Sequence, residues 1–424
     1  MSRPLEGVRV LDFTHVLAGP FATRCLADMG ADVVKINSIK RATGANDPLH
    51  PYYLMWNRNK RALALDMTHD EDRQLCERLC EQADIVIDNF SVGVLDRWGI
   101  GFEKVRQKNP RVIYIQMSGM GEGGPWSNFV TYAPTIHALS GLTYLTSVPG
   151  REDIGIGFSY NDHQAGLHAA VAILAALEAR RSTGAGQHID VSQFEVGVSF
   201  AGPSLMDLFA NGRAAEPTAN DLPYDDACPH NCYQGLPKGD GTLGERWIAI
   251  ACMTDAHWQA LKSVMGHPDW ASRADFDSVA GRLEARAEID SGIAVFTSDC
   301  EVYDLMARCQ AAGVPAGVVQ DGEDLNTRDP QLALYQFLHK IEDVSPLLGQ
   351  TWADRLPIRF SQTPCDVYER TKAVGEDNVS VLGDWLGMDE TAIRTAESKG
   401  RLAARGELSG GESKIATWLR WKLN

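Results

Sequence analysis

The sequence has no apolar run approaching the ~18 residues that suggest a membrane-spanning helix, so no membrane partner is expected. Residues 1–7 lack the apolar core of a secretory signal. Nine cysteines, an odd number without regular spacing, argue against a disulfide framework and point to reduced thiols; the expected compartment is the cytoplasm. Basic residues are in the minority, 40 Lys and Arg against 56 Asp and Glu, and the net charge of -16 argues against nucleic acid as a partner. Internal repeats and low-complexity segments are also missing. What is present is ordinary globular composition, 44% hydrophobic and 23% charged, over 424 residues, which is enough chain for two domains.

Short apolar runs alternate with helical patterns in the first half. Strands are predicted at Val8–Phe13, Gly30–Ile36, Asp84–Asp88 and Val112–Met117, with helices at Pro20–Met29 and Asp70–Gln82. That alternation predicts βαβ units around a parallel sheet. Residues 214–244, rich in Pro, Gly, Asp and Asn, read as a boundary, and Trp247–Cys252 opens a smaller α+β segment. The expected division is 1–213 (the first part of the large domain), 214–325 (linker and small domain) and 326–424 (return to the large domain and C-terminal helices).

Residues 158–195 carry the most information. Asp162 stands where a long Ala-rich helix begins, with Leu167, Val171, Leu174 and Leu177 recurring at helical spacing and Arg180 and Arg181 at its negative end. The residues after it, 182–186, turn the chain into a strand at His188–Ser192. Helix amides stabilise a charged carboxylate there, and an ionised, partly desolvated carboxylate can attack an activated acyl group. Asp also caps helices, and the spacing alone leaves both roles open.

Other motifs carry less. Gly119-Met-Gly-Glu-Gly-Gly124 satisfies G-x-G-x-x-G after a strand, but Pro125 follows and no acid stands about 20 residues on, so a glycine-rich loop is expected rather than a dinucleotide site. Cys228 to Cys232 encloses one His but has no partner pair for zinc, and no metal is expected. Cys76 and Cys80 read as core packing, and His163 and His168, flanking Asp162, as structural histidines.

The motifs taken together resemble the class III CoA-transferase family. Similar stretches are Leu5–Phe13, Leu17–Ala22, Leu26–Ile36, Asn57–Arg61, Leu65-Asp66, Ile87–Phe90, Leu95–Gly99, Asn109–Tyr114, Ser118–Trp126, residues 158–195 and Gly313–Gly317. The resemblance implies an α/β fold: a Rossmann-like large domain built from both chain ends, a smaller α+β middle domain, and two chains interlocked as a dimer, either identical or homologous. It makes Asp162 the nucleophile that moves CoA from an acyl-CoA to a free carboxylic acid, with the CoA thioester as substrate and no permanently bound cofactor. The loop glycines Gly119, Gly121, Gly123 and Gly124 become candidate oxyanion donors. CoA contacts are expected at His15, Val16, Ala18, Lys35, Lys60, Arg61, Asn89, Phe90, Arg97 and Tyr132, with Lys40, Arg41 and Arg58 as further cations. Asn37, where many relatives carry an acid, leaves the ribose contacts open.

Two alternatives sharpen the expectation. The related α-methylacyl-CoA racemases pair a His with the Asp, and Tyr132 stands at that His position here; a phenol with a pKa near ~10 is a poor base at neutral pH. His137 lies one and a half helical turns beyond. A non-catalytic CoA-binding subunit is the other alternative, against which the retained Asp162 argues. The formyl-CoA transferase group has a basic residue where this chain has Val130, and a glycine-run flap where it has the segment beginning at Asp225. The expected pair is therefore a succinyl-CoA donor with an aromatic or branched dicarboxylate acceptor such as benzylsuccinate.

Overall fold

The computed structural model describes residues 2–224, 226–238, 244–345, 348–399 and 402. Asp225 and the end of the expected C-terminal helical tail lie outside the described residues. The chain divides into two compact units. One holds Met1–Leu142, Gly157–Gly202 and Ala333–Asn424, and the other Thr143–Ile156 and Pro203–Leu332. Thr143–Ile156 thus belongs with the smaller unit, an excursion that the strand and helix patterns did not mark.

The larger unit is built on six strands: β1 (Arg9–Asp12), β2 (Asp32–Asn37), β3 (Arg61–Ala64), β4 (Ile85–Asp88), β5 (Ile113–Gln116) and β6 (Gln187–Asp190). Their order is β3-β2-β1-β4-β5-β6, and every pair is parallel. Alternate side chains leave opposite faces of a strand, so the inner strands feed two cores. Val10, Ile85, Ile87, Ile113 and Ile115 pack on the helices Ala18–Asp28 and Tyr160–Thr183. Leu11, Val34, Val86 and Tyr114 face the other way, onto helices Asp70–Gln82 and Asn378–Leu386. Burial on both faces explains why these strands read as unbroken apolar runs. A hairpin of β10 (Leu338–Ser345) and β11 (Gly349–Asp354) also belongs to this unit.

In the long helix Tyr160–Thr183, Leu167, Val171 and Leu174 do not form the packed face. Its inward face is Ala165, Gly166, Ala169, Ala170, Ile173 and Ala176, all buried. Leu167, Val171 and Leu174 are exposed. The reason is steric: a Cβ on Gly166 would lie 2.6 Å from the Ala18 carbonyl oxygen and 3.0 Å from the Phe21 ring. Small residues let the two helices touch backbone to backbone, and bulky leucines could not. Arg180 anchors the far end, donating to Asp84 Oδ1 at 2.8 Å and to the Arg111 carbonyl at 3.0 Å.

In the smaller unit, β7 (His230–Gly235), β8 (Arg246–Ala251) and β9 (Ala316–Val318) form an antiparallel sheet in the order β7-β8-β9. Ile248, Ile250, Trp258, Phe276, Ile293 and Leu305 fill its core. Cys228 is buried there, and its thiol donates to the Arg282 carbonyl oxygen at 3.3 Å.

Candidate active site

β1 and β4 are neighbours in the sheet, yet the chain leaves them in opposite directions, to β2 and to β5. In such sheets, ligands bind beyond the carboxyl ends of the strands where the order reverses. A cavity of about 680 Å³ opens at that place, and its wall includes His15, Val16, Asn89, Phe90, Ser118 and Asp162. The two loops are clasped: His15 N–H donates to Asn89 Oδ1 at 2.7 Å, and Asn89 Nδ2 donates to the His15 carbonyl at 2.8 Å. Val16 is held at φ 65°, a costly conformation for a β-branched residue, with its N–H donating to Asn46 Oδ1 at 3.1 Å. Burial and the nearby Lys35 push the His15 imidazole down to about 3, so it is neutral, and its ring lies tilted against Phe90 at 5.1 Å.

The lysines expected at CoA have another task. Lys35 and Lys60 are fully interior, and both contact Asp12, which ends β1. Lys60 Nζ donates to Asp12 Oδ2 at 3.1 Å, to the Pro20 carbonyl at 3.0 Å and to Asn57 Oδ1 at 2.9 Å. Burial pushes the Asp12 pKa up, but the two lysines and hydroxyl donors from Thr14 and Thr23 outweigh it and hold the carboxyl well below the usual range. Burial in turn pushes Lys60 down to about 7, against the pull of Asp12.

Three more expected contacts also fall elsewhere. Arg61 opens β3 at the amino edge of the sheet, bonded to Asp32 and Asp384. Ala18 is buried in the helix packing. Arg97 is exposed but does not reach the cavity wall. Arg58, the further candidate, is buried in a bidentate pair with Asp28. The wall's cations are Lys40, which donates to Asp66 at 2.7 Å, and Arg41. Arg41 is exposed and has no acidic partner among the described residues.

Asp162 is the third residue of its helix, after Ser159, which precedes the first turn, and it caps nothing. Its carboxylate has no side-chain partner among the described residues. The helix amides were expected to favour the charge, but burial outweighs them and pushes Asp162 up to about 6; the only opposing contribution is its own N–H. The first turn is capped from outside, because Asn161 N–H donates to His137 Nε2 at 3.1 Å. His137 is therefore an acceptor, with its proton on Nδ1, and burial lowers its pKa. Tyr52, from the helix Pro51–Trp56, adds a phenol beside Ser159 and Asp162, and burial chiefly keeps its proton in place. His163 is packed between Phe158, Phe21 and Trp56 with Nδ1 on the Ser159 carbonyl, a structural role.

Of the loop glycines, Gly119 alone reaches the wall. A Cβ there would lie 1.9 Å from Thr131 Oγ1, so glycine is what lets segment 126–132 fold over the end of β5. The loop continues into turns, and the next helix begins only at Ala133, so no helix amides face a dinucleotide phosphate. Glu122 N–H is used on Asp190. Segment 126–132 presents Trp126, Phe129, Val130 and Tyr132 largely to solvent, with Phe129, Val130 and Tyr132 on the cavity wall. Missed by sequence reasoning were Ser118, Tyr52 and the capping role of His137. Nothing in their spacing distinguishes them.

The family model for CoA-transferase family III matches residues 5–378. The chain belongs to this family. It is 32% identical over 408 residues to the succinyl-CoA–D-citramalate CoA-transferase of Chloroflexus aurantiacus, covering 94% of this chain and 98% of that one. Against the succinyl-CoA–L-malate CoA-transferase beta subunit of the same organism, identity is 29%, with 93% and 97% covered. Among solved structures, a CAIB/BAIF family protein from Brucella suis superposes with a TM-score of 0.80 at 28% identity, over 91% of this chain and 100% of that one. The protein is accordingly a class III CoA-transferase, an enzyme whose substrates are CoA thioesters.

Proposed function

We propose that Asp162 is the nucleophile of this transferase and carries the acyl group and CoA in turn. The observation that supports it most is an unpartnered carboxylate, half-buried on the wall of a cavity of about 680 Å³, with its pKa pushed up to about 6. Such a group is ionised above that pH yet poorly solvated, which makes it more reactive than a paired carboxylate.

The steps balance without ATP. An Asp162 oxygen attacks the thioester carbonyl, the C–S bond breaks, and a mixed anhydride and CoA thiolate result. The thiolate attacks the aspartyl carbonyl and expels the donor acid, leaving an aspartyl-CoA thioester. The acceptor carboxylate attacks that thioester, giving a second anhydride and thiolate. The thiolate then takes the acceptor acyl group, and Asp162 is regenerated. Water must be excluded while either intermediate exists.

CoA enters at the switch point, with Val16, His15, Asn89 and Phe90 against the thioester arm and Arg41 and Lys40 toward its phosphates. Succinyl-CoA is the proposed donor, in keeping with the names of the two Chloroflexus relatives. The aromatic segment at Trp126 and Phe129, stacked at 5.5 Å, suits an acceptor with an apolar body such as benzylsuccinate. Tyr132 at the position of the racemase histidine, and His137 used as a helix cap, favour transfer over proton abstraction. The exposed stripe Leu167, Val171 and Leu174 fits burial against a second chain, identical or homologous, in an interlocked dimer working in the cytoplasm.

Asp162→Asn, read by exchange of labelled succinate into succinyl-CoA, tests the proposal. Exchange should fall at least ~10⁴-fold, the scale lost with other essential nucleophiles, with circular dichroism unchanged. Exchange at the wild-type rate contradicts it.

A further inference from the structure

Ser118 follows β5, and the three carbonyls around it are all bonded. Met117 O accepts from Gln193 Nε2 at 2.9 Å, Ser118 O from Gln193 N–H at 3.3 Å, and Gly119 O from Phe194 N–H at 2.9 Å. Gln193 O in turn accepts from Asn161 Nδ2 at 2.7 Å, which ties this frame to the residue preceding Asp162. Two polar atoms in the frame are left over, Asn161 Oδ1 and the Ser118 hydroxyl, and of their residues Ser118 is the one on the cavity wall. The Ser118 hydroxyl is buried, its residue 4% exposed, and it has no hydrogen-bond partner although it stands on the cavity wall with Asp162. A buried hydroxyl without a partner costs stability, and a ligand that supplies the partner is one reason a native protein retains one.

We propose that Ser118 is a catalytic residue whose hydroxyl donates a hydrogen bond to the acyl carbonyl oxygen under attack by Asp162. This inference rests on the transfer reading of that aspartate. As the Asp162 oxygen bonds to the carbonyl carbon, the C=O π pair moves onto oxygen, and the Ser118 O–H stabilises that charge without giving up its proton. When the pair returns, the C–S bond breaks and the thiolate leaves. The hydroxyl thus supplies what the loop amides were expected to supply: Gly121, Gly123 and Gly124 do not reach the wall.

The test compares wild type, Ser118→Ala and Asp162→Asn as full-length proteins, using exchange of labelled succinate into succinyl-CoA together with Tm. Removing an unpartnered hydroxyl should leave Tm equal or higher. Loss of an oxyanion donor should lower kcat about 100-fold with KM nearly constant. That combination is the expected result. Ser118→Ala with wild-type kcat, beside an inactive Asp162→Asn, overturns the role of Ser118 and leaves the transfer reading intact. A fall in kcat accompanied by a Tm lower by several degrees means a structural role and also overturns it. An active Asp162→Asn overturns the transfer reading, and this inference with it.

Discussion

Asp12 and Asp162 are carboxylates of one compact unit treated in opposite ways. Asp12 ends β1 beneath the switch point and is met by two ammonium groups and two hydroxyls, which hold its proton off at any ordinary pH. Asp162 stands in the first turn of a helix with no cation or hydroxyl bonded to it, and burial pushes its pKa to about 6. Both groups lie where helix or strand ends concentrate polar atoms, so position does not separate them. Partners do. A carboxylate whose lone pairs are all engaged braces a fold, whereas one with lone pairs unspent is available to a substrate.

Substitution should separate the two most sharply. Asp12→Asn leaves Lys35 and Lys60 buried with no counter-charge, and stability should fall by about 3–5 kcal/mol in urea unfolding. Asp162→Asn should do the reverse. The folded-state pKa of Asp162 is raised, so folding binds its proton more tightly than the unfolded chain does, and stability is lost as pH rises from about 4 to about 6. Asparagine removes that loss: the variant's Tm should exceed wild type at pH 8 and match it near pH 4. A lower Tm at pH 8 would mean that Asp162 braces the helix.

The same contrast predicts the pH profile. Asp12 stays ionised throughout, so the acid limb of kcat/KM should follow Asp162, rising tenfold per unit below about 6 and flat above it. Initial rates from pH 5 to 8 check this, and a limb centred near 4 would place Asp162 among ordinary carboxylates. The smallest effect concerns the cations. Arg41→Ala should raise KM for succinyl-CoA about 10-fold at low salt, less at high salt, with kcat unchanged. Lys35 and Lys60 are committed to Asp12, and their replacement should show in stability first.

Much of this was legible in the residues. The runs at Val8–Phe13, Asp84–Asp88 and Val112–Met117 are apolar because both sheet faces are covered, and each became a strand within a residue or two. β3 escaped notice because Arg61–Ala64 is four residues long without a β-branched side chain. The helix at Tyr160–Thr183 was plain, but its inward face was not. Leucines at helical spacing ordinarily mark the core, and here close backbone contact at Gly166 put alanines there instead. Asp162 was picked out by its helix start and its resemblance, and Gly119, His15, Val16, Asn89, Phe90 and Tyr132 come together with it on one wall. The expected contacts that do not line that wall, Ala18, Lys35, Lys60, Arg61 and Arg97, are mostly basic. A basic side chain reads the same whether it meets a phosphate or a buried aspartate 48 positions away in the chain, as Lys60 does.

The most direct measurement is to quench the enzyme with hydroxylamine during turnover of succinyl-CoA and map the adduct by peptide mass spectrometry. An aspartyl anhydride or thioester at Asp162 should appear as a hydroxamate on that side chain alone, and not without acyl-CoA. Steady turnover with Asp162 unmodified, or a hydroxamate on another carboxylate, would contradict the account.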